Sequence, residues 1–158
     1  MATTLSSART FSATVEAAPN GGIAIALGFD PAAAWGERLR YHVGGAIGGR
    51  PVRGVVAVDD PKLVLGPAWC RDGSIKEGDR VTVTLALEGP ETHDLGDDLA
   101  AALDAEPAAL AFFQDLAQFY RKAYLTWING TKRKPQERAR RIAEVVRLLK
   151  AGKKGRPR

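Results

Sequence analysis

The stretch RYHVGGAIGGRPVRGVVAV, residues 40–58, decides how the first half of this chain is read. Two runs of β-branched and aromatic residues, Arg40 to Ile47 and Val52 to Val58, flank Gly48-Gly49-Arg50-Pro51. Hydrophobic runs on either side of a glycine pair predict a β-hairpin, because only glycine enters the left-handed backbone of a tight hairpin turn at no steric cost. The glycines also invite a dinucleotide-binding reading. However, the run is G-G-A-I-G-G, which breaks G-x-G-x-x-G, opens no helix and lies in no βαβ unit.

Working outward, Phe11, Ala13 and Val15 alternate with Ser12, Thr14 and Glu16 over Arg9 to Ala17, the period-two pattern of a half-buried strand. Pro19-Asn20-Gly21-Gly22 supplies a turn, and Ile23 to Phe29 reads as the returning strand. Asp30 and Pro31 open a short helix to Gly36 as N-cap and first helical residue. Lys62 to Leu65 is a brief strand, Ala68 to Ile75 another interrupted at Asp72-Gly73, and Arg80 to Glu88 alternates cleanly. About six short strands separated by Gly/Pro turns predict a small antiparallel β-barrel, whose closure removes exposed edges.

After Gly89-Pro90 the period changes. Asp97 and Asp98 cap a short helix to Ala105. Pro107 opens a long one to about Ile128, Asn129-Gly130-Thr131 stops it, and Pro135 starts a last helix ending near Gly152. The expectation is an α+β chain in three parts: a barrel over 1–90, a three-helix module over 97–152 and a disordered basic tail over 153–158. The acidic stretch Gly89 to Gly96 is read as the linker.

The chain has 158 residues and a net charge of +5. Residues 1–98 hold nine Lys+Arg against thirteen Asp+Glu, a net of −4, and residues 99–158 fourteen against five, a net of +9. A single cysteine, Cys70, forms no intramolecular disulfide and points to a reducing cytoplasm. The N-terminus lacks the apolar core of a signal peptide, and the longest apolar runs fall far short of the ~20 residues that span a bilayer. Cys70, His42 and His93 have no metal-ligand spacing. Ser12, Ser74 and Cys70 sit in no nucleophile motif, and neither histidine has the context of a catalytic base. His42 is expected as a half-exposed structural residue and Cys70 as a small buried hydrophobe. No catalytic, metal or cofactor residue is assigned, although Trp35, Tyr41 and Trp69 could line a pocket inside the barrel.

Binding chemistry concentrates in residues 120–158, where fourteen Lys+Arg face only Glu137 and Glu144. Interleaved Tyr120, Tyr124 and Trp127 would offer stacking faces beside phosphate contacts, or, at helical spacing with Leu110, Phe113 and Leu116, would form a helix–helix core. Arg138 and Arg141 border the apolar stripe of Ile142, Val145 and Leu149, so each needs a carboxylate or a ligand anion. Asp97, Asp98, Asp104 or Asp115 would serve structurally, while an anion pocket of Arg121, Lys132, Arg138 and Arg141 is the functional rival.

The C-terminal residues Asp97-Asp98-Leu99, Pro107, Phe112-Phe113, Arg121, Trp127-Ile128, Lys132, Arg138 and Arg140-Arg141-Ile142 resemble the YdeI/OmpD-associated, or bacteriocin-protection, family. Phe11, the strand from Gly22 to Leu27, Gly48-Gly49-Arg50-Pro51 and Gly78-Asp79 with Val81, Val83 and Leu85 resemble the uncharacterised barrel domain that often precedes it. The resemblance implies a bacterial cytoplasmic protein with a double-split-like barrel, linked to bacteriocin or antimicrobial-peptide resistance through binding, and it brings no catalytic residues. One departure is that Thr131-Lys132 and Glu137-Arg138 stand where the family commonly has Ala-Lys and a Thr beside the Arg. The rival functions are a nucleic-acid-binding protein using the basic helices and an enzyme on a small anionic substrate. The partner is accordingly an unidentified anion, protein or nucleic acid.

Overall fold

The computed structural model describes residues 7–72, 74–131 and 133–156, and the chain divides into two compact units, the first ending at Glu88 and the second starting at Gly89. The architecture is α+β. Seven strands and one short helix form the first unit: β1 Arg9–Thr14, β2 Glu16–Ala17, β3 Ile23–Ala26, α1 Pro31–Trp35, β4 Arg40–Ile47, β5 Arg50–Ala57, β6 Lys62–Leu65 and β7 Arg80–Leu87.

All pairings are antiparallel, in two sheets ordered β1-β7-β4-β5 and β2-β3-β6. The sheets are two hydrogen-bonded ladders joined through covalent corners. Buried Val15 carries the chain from β1 into β2, and the Ala57–Asp60 bridge turns β5 toward β6. Both sheets line one core, in which Ile25, Tyr41, Val43, Ile47, Val56, Leu63, Val83 and Leu85 are fully buried.

The β4–β5 turn is tighter than its sequence suggests. Gly48 and Gly49 both take positive φ, 57° and 83°, and Arg50 already pairs with Ile47. Pro51 therefore lies inside β5, where its missing N–H is tolerated because β5 is the edge of its sheet. No strand forms over the described part of Ala68 to Ile75. The Trp69, Cys70 and Arg71 N–H groups instead bond back to the Gly66, Pro67 and Ala68 carbonyls, and the Asp72 carboxylate accepts the Ser74 N–H at 3.0 Å. Those local turns satisfy backbone groups that a strand would need a partner to satisfy.

Trp35 and Tyr41 do not line a pocket. They fill the interior in an aromatic chain with Phe11 and Phe29, and their polar atoms reach the Ser7 and Gly36 carbonyls, each at 2.7 Å. Trp69 is half-buried, 4.4 Å from the Arg50 guanidinium. His42 is buried rather than half-exposed, and Cys70 is half-buried in a turn rather than in a strand.

Among the described residues the second unit has a 3-10 turn at Thr92–Asp94 and four α-helices: α2 Asp97–Asp104, α3 Pro107–Asp115, α4 Gln118–Asn129 and α5 Pro135–Lys150. α5 packs against the other three, and Leu103, Phe113, Ile128, Val145, Leu148 and Leu149 are among the buried residues of their common core. None of the described helices is long and apolar enough to cross a membrane.

The expected long helix from Pro107 is broken at Leu116-Ala117, both extended. Nothing in the local sequence forbids helix there. The cause is Arg121, 1% exposed. Its Nε donates to the Leu116 carbonyl at 2.9 Å and its Nη2 to the Gln114 carbonyl at 2.6 Å, taking up acceptors that the break releases. Nη1 donates to the Pro90 carbonyl at 3.1 Å and to the Glu91 carboxylate at 2.7 Å. Glu91 is itself 8% exposed, and the Asp94 carboxylate accepts its N–H at 2.8 Å. The acidic stretch read as a linker is thus folded into the helical unit.

Three substitutions test this description. Arg121→Met leaves Glu91 charged and buried beside three unmet carbonyls, so the helical unit should lose about 3–5 kcal/mol in urea unfolding followed by far-UV circular dichroism. In the strand unit, a Cβ on Gly45 would overlap the Thr84 carbonyl oxygen across the β4–β7 ladder, whereas one on Gly66 meets nothing within 4 Å. Gly45→Ala should therefore cost about 1–3 kcal/mol in thermal unfolding and Gly66→Ala less than about 0.5.

Candidate functional site

The four basic residues singled out from sequence do not converge on one pocket. Arg121 is enclosed by its own unit, and Lys132 lies outside the described residues. Arg138 forms a two-pronged pair with Asp98, Nε to Oδ2 at 2.7 Å and Nη2 to Oδ1 at 2.9 Å, while its Nη1 donates to the Asn129 side chain at 3.0 Å. Asp98 is one of the four carboxylates the sequence offered, so this arginine links α5 to α2 and to the end of α4. Arg138 hydrogen bonding holds the Asp98 carboxyl below its usual range.

Arg141, three residues further along α5, donates from Nε to Glu137 at 3.0 Å and from Nη1 to the Trp127 carbonyl at 2.7 Å. That carbonyl belongs to the last turn of α4, where a helix presents unmet acceptors and the negative end of its dipole. The Thr131 hydroxyl, buried, donates to the Ile128 carbonyl at 2.7 Å and completes the cap. The two positions where the chain departs from the family pattern therefore have structural roles. Thr131 closes α4, and Glu137 receives both Arg140 and Arg141. Those two guanidiniums push the Glu137 carboxyl down to about 2, and Arg147 lowers Glu144 in the same direction.

An open cleft of about 690 Å³ occupies this α4–α5 corner, lined among others by Asn129, Thr131, Arg133, Lys134, Glu137 and Arg141. Arg133 and Lys134 are exposed and, among the described residues, make no ion pair. Lys122, Lys153, Lys154 and Arg156 share that condition.

Of the aromatic set, Tyr124 is a core residue, whereas Tyr120 and Trp127 are half-buried. Burial, with the Glu144 charge second, raises the Tyr124 phenol above its ordinary range, and its hydroxyl donates to the Lys153 carbonyl at 2.7 Å. Of the residues expected as a disordered tail over 153–158, Lys153 to Arg156 are directed back along α4, and 157–158 lie outside the described residues. Gly152, at φ 75°, ends α5, the Gly152 and Lys153 N–H groups cap the Leu149 and Leu148 carbonyls, and the chain then passes over the rings. The Lys154 ammonium lies 5.5 Å from the Tyr120 ring centre and the Arg156 guanidinium 4.4 Å from that of Trp127, which Arg141 also approaches at 4.9 Å. Sequence reading missed the tail's part in this surface, although the i, i+4, i+7 spacing of Tyr120, Tyr124 and Trp127 marked the face it covers.

The fold and surface define a class: a strand unit of two antiparallel sheets followed by a basic four-helix unit. Residues 92–152 match the family described as Bacteriocin-protection, YdeI or OmpD-Associated, and residues 11–85 match a Domain of unknown function (DUF1905). The chain thus carries a region that matches the YdeI/OmpD-associated family, behind one that matches a domain of unknown function. No curated protein matches the chain.

The ion pairs give the acid response a direction. Glu137 has a folded pKa of about 2 against an ordinary value of 4.5, so its contribution is complete above pH 4.5 and disappears as the pH falls toward 2. Chemical denaturation of the full chain across that interval should show the helical transition weakening, with Glu137→Gln flattening the dependence. Side-chain NMR should place the Glu137 midpoint well below that of an unpaired glutamate.

Proposed function

We propose that this chain is a bacterial cytoplasmic protection protein that acts by binding rather than catalysis, with the exposed basic surface of its helical unit as the contact site and an anionic molecule as partner. The family description supplies bacteriocin protection. A free, half-buried Cys70 agrees with a reducing compartment.

One observation carries the binding reading: the positive charge of the helical unit exceeds what its own carboxylates neutralise. Arg121, Arg138, Arg140, Arg141, Arg147 and Lys150 pair within the unit, with Glu91, Asp98, Glu137, Glu144 and Glu106. Lys122, Arg133, Lys134, Lys153, Lys154 and Arg156 remain exposed and outside any ion pair among the described residues. A cluster of solvated cations raises the local concentration of anions and speeds their encounter. The same distribution argues against an enzyme built on Arg121, Arg138 and Arg141, since these three are already committed to internal partners.

A strain lacking this chain should be several-fold more sensitive to bacteriocins than its parent, and the wild-type chain should restore resistance. The Arg133→Glu, Lys134→Glu double variant, altered only at exposed positions, should keep its thermal midpoint and fail to restore it. Equal rescue by this variant, or a deletion strain as resistant as its parent, refutes the reading.

A further inference from the structure

We propose that the α4 face from Phe119 to Trp127, together with Lys154 and Arg156, is a binding surface for single-stranded nucleic acid; this rests on the reading that the helical unit takes an anionic partner, and names that partner's class. Three features of the face converge on it.

The first is an exposed ring. Phe119 is 74% exposed on a soluble helix, edge-on to Tyr120 at 5.3 Å. The hydrophobic effect gives such a residue no reason to remain outside, and its position leaves aromatic surface open to a planar partner. The second is the run of rings along one helix. Tyr120 and Trp127 are seven residues apart, roughly 10 Å along the axis, the span of a few nucleotides. The third is the placement of two cations, Lys154 and Arg156, at those rings rather than at carboxylates. Lys154 and Arg156 come from the returning C-terminal segment and make no ion pair among the described residues, while Arg141 shares Glu137 with Arg140.

The exposed Phe119 ring, beside Tyr120 and Trp127 rings whose faces are held by cations that can turn to phosphates, fits unpaired bases on a flexible backbone. The Arg156 guanidinium plane at Trp127 adds a surface on which a base can stack in its own right. A duplex fits poorly, because its bases are already stacked and the returning segment lies across the helix face that would enter a groove. An acidic peptide would satisfy the cations and leave Phe119 unused.

Fluorescence anisotropy on the full chain tests this, with labelled oligo-dT and oligo-rU of roughly 12 nucleotides, within the site sizes of single-strand binders. A duplex of equal length and a polyglutamate peptide are the comparisons. Single strands should bind at least tenfold more tightly than either at about 0.1 M salt, with a log–log salt slope of about −2 to −3 for three or four phosphate contacts. Phe119→Ala and Arg156→Ala, both at exposed positions, should each weaken binding about tenfold and leave the thermal midpoint in place. Duplex or polyglutamate binding as tight as the single strands, or single-strand binding unchanged in the Phe119→Ala, Arg156→Ala double variant, overturns the proposal. Tight polyglutamate binding without single-strand binding removes this inference alone, whereas no binding of any polyanion removes the anionic-partner reading with it.

Discussion

The helical unit is organised around one buried guanidinium. An arginine 1% exposed is tolerable only where its donors meet acceptors in a fixed geometry, and Arg121 meets three backbone carbonyls and a carboxylate. Those contacts draw together the Pro90-Glu91 segment, the end of α3 and the start of α4. The break between α3 and α4 follows, because the Leu116 carbonyl that would have continued the helix faces the guanidinium instead. Phe113 packs 5.6 Å from the same group, so the charge is bordered by the hydrophobic core it helps to align.

The position of Glu91 also revises the charge pattern. Counted to residue 98, the first part of the chain is acidic. Counted by the units that form, residues 1–88 hold nine basic and nine acidic residues and are neutral, and residues 89–158 hold fourteen against nine, so the full +5 belongs to the helical unit. The acidic stretch includes internal counterions of that unit: Glu91 serves Arg121, and Asp98 at the start of α2 serves Arg138. What remains unmatched is a smaller and more localised set of cations, around the α4–α5 corner and along the returning C-terminal segment.

Local rules predicted what local physics controls. Alternation located β1 and β7, the glycine pair and the hydrophobic runs beside it located β4, β5 and their turn, and Asp30-Pro31 marked the start of α1, where Asp30 accepts the Ala32 N–H. The failures share a cause. Ala68 to Ile75 has strand-like composition and no strand partner. The break at Leu116 faces a buried Arg121 whose burial also rests on contacts to residues 30 and 31 positions earlier, which no short window of sequence contains. Arg121 itself was read as a ligand-binding candidate because an arginine's number and neighbours do not reveal its burial. Arg138 was legible in kind, since a charged residue beside an apolar stripe requires a counterion, but the choice of Asp98 among four aspartates needed the fold.

The reach of Arg121 also determines where the chain can be divided. The family match begins at residue 92, two residues after a carbonyl and one after a carboxylate that this side chain holds. A fragment cut at that boundary would expose a cationic cavity with half of its ligands missing, whereas one starting at Gly89 keeps the whole clasp. The compact helical unit is therefore longer than the region of recognisable sequence, and the buried Glu91 ahead of that region belongs to its interior.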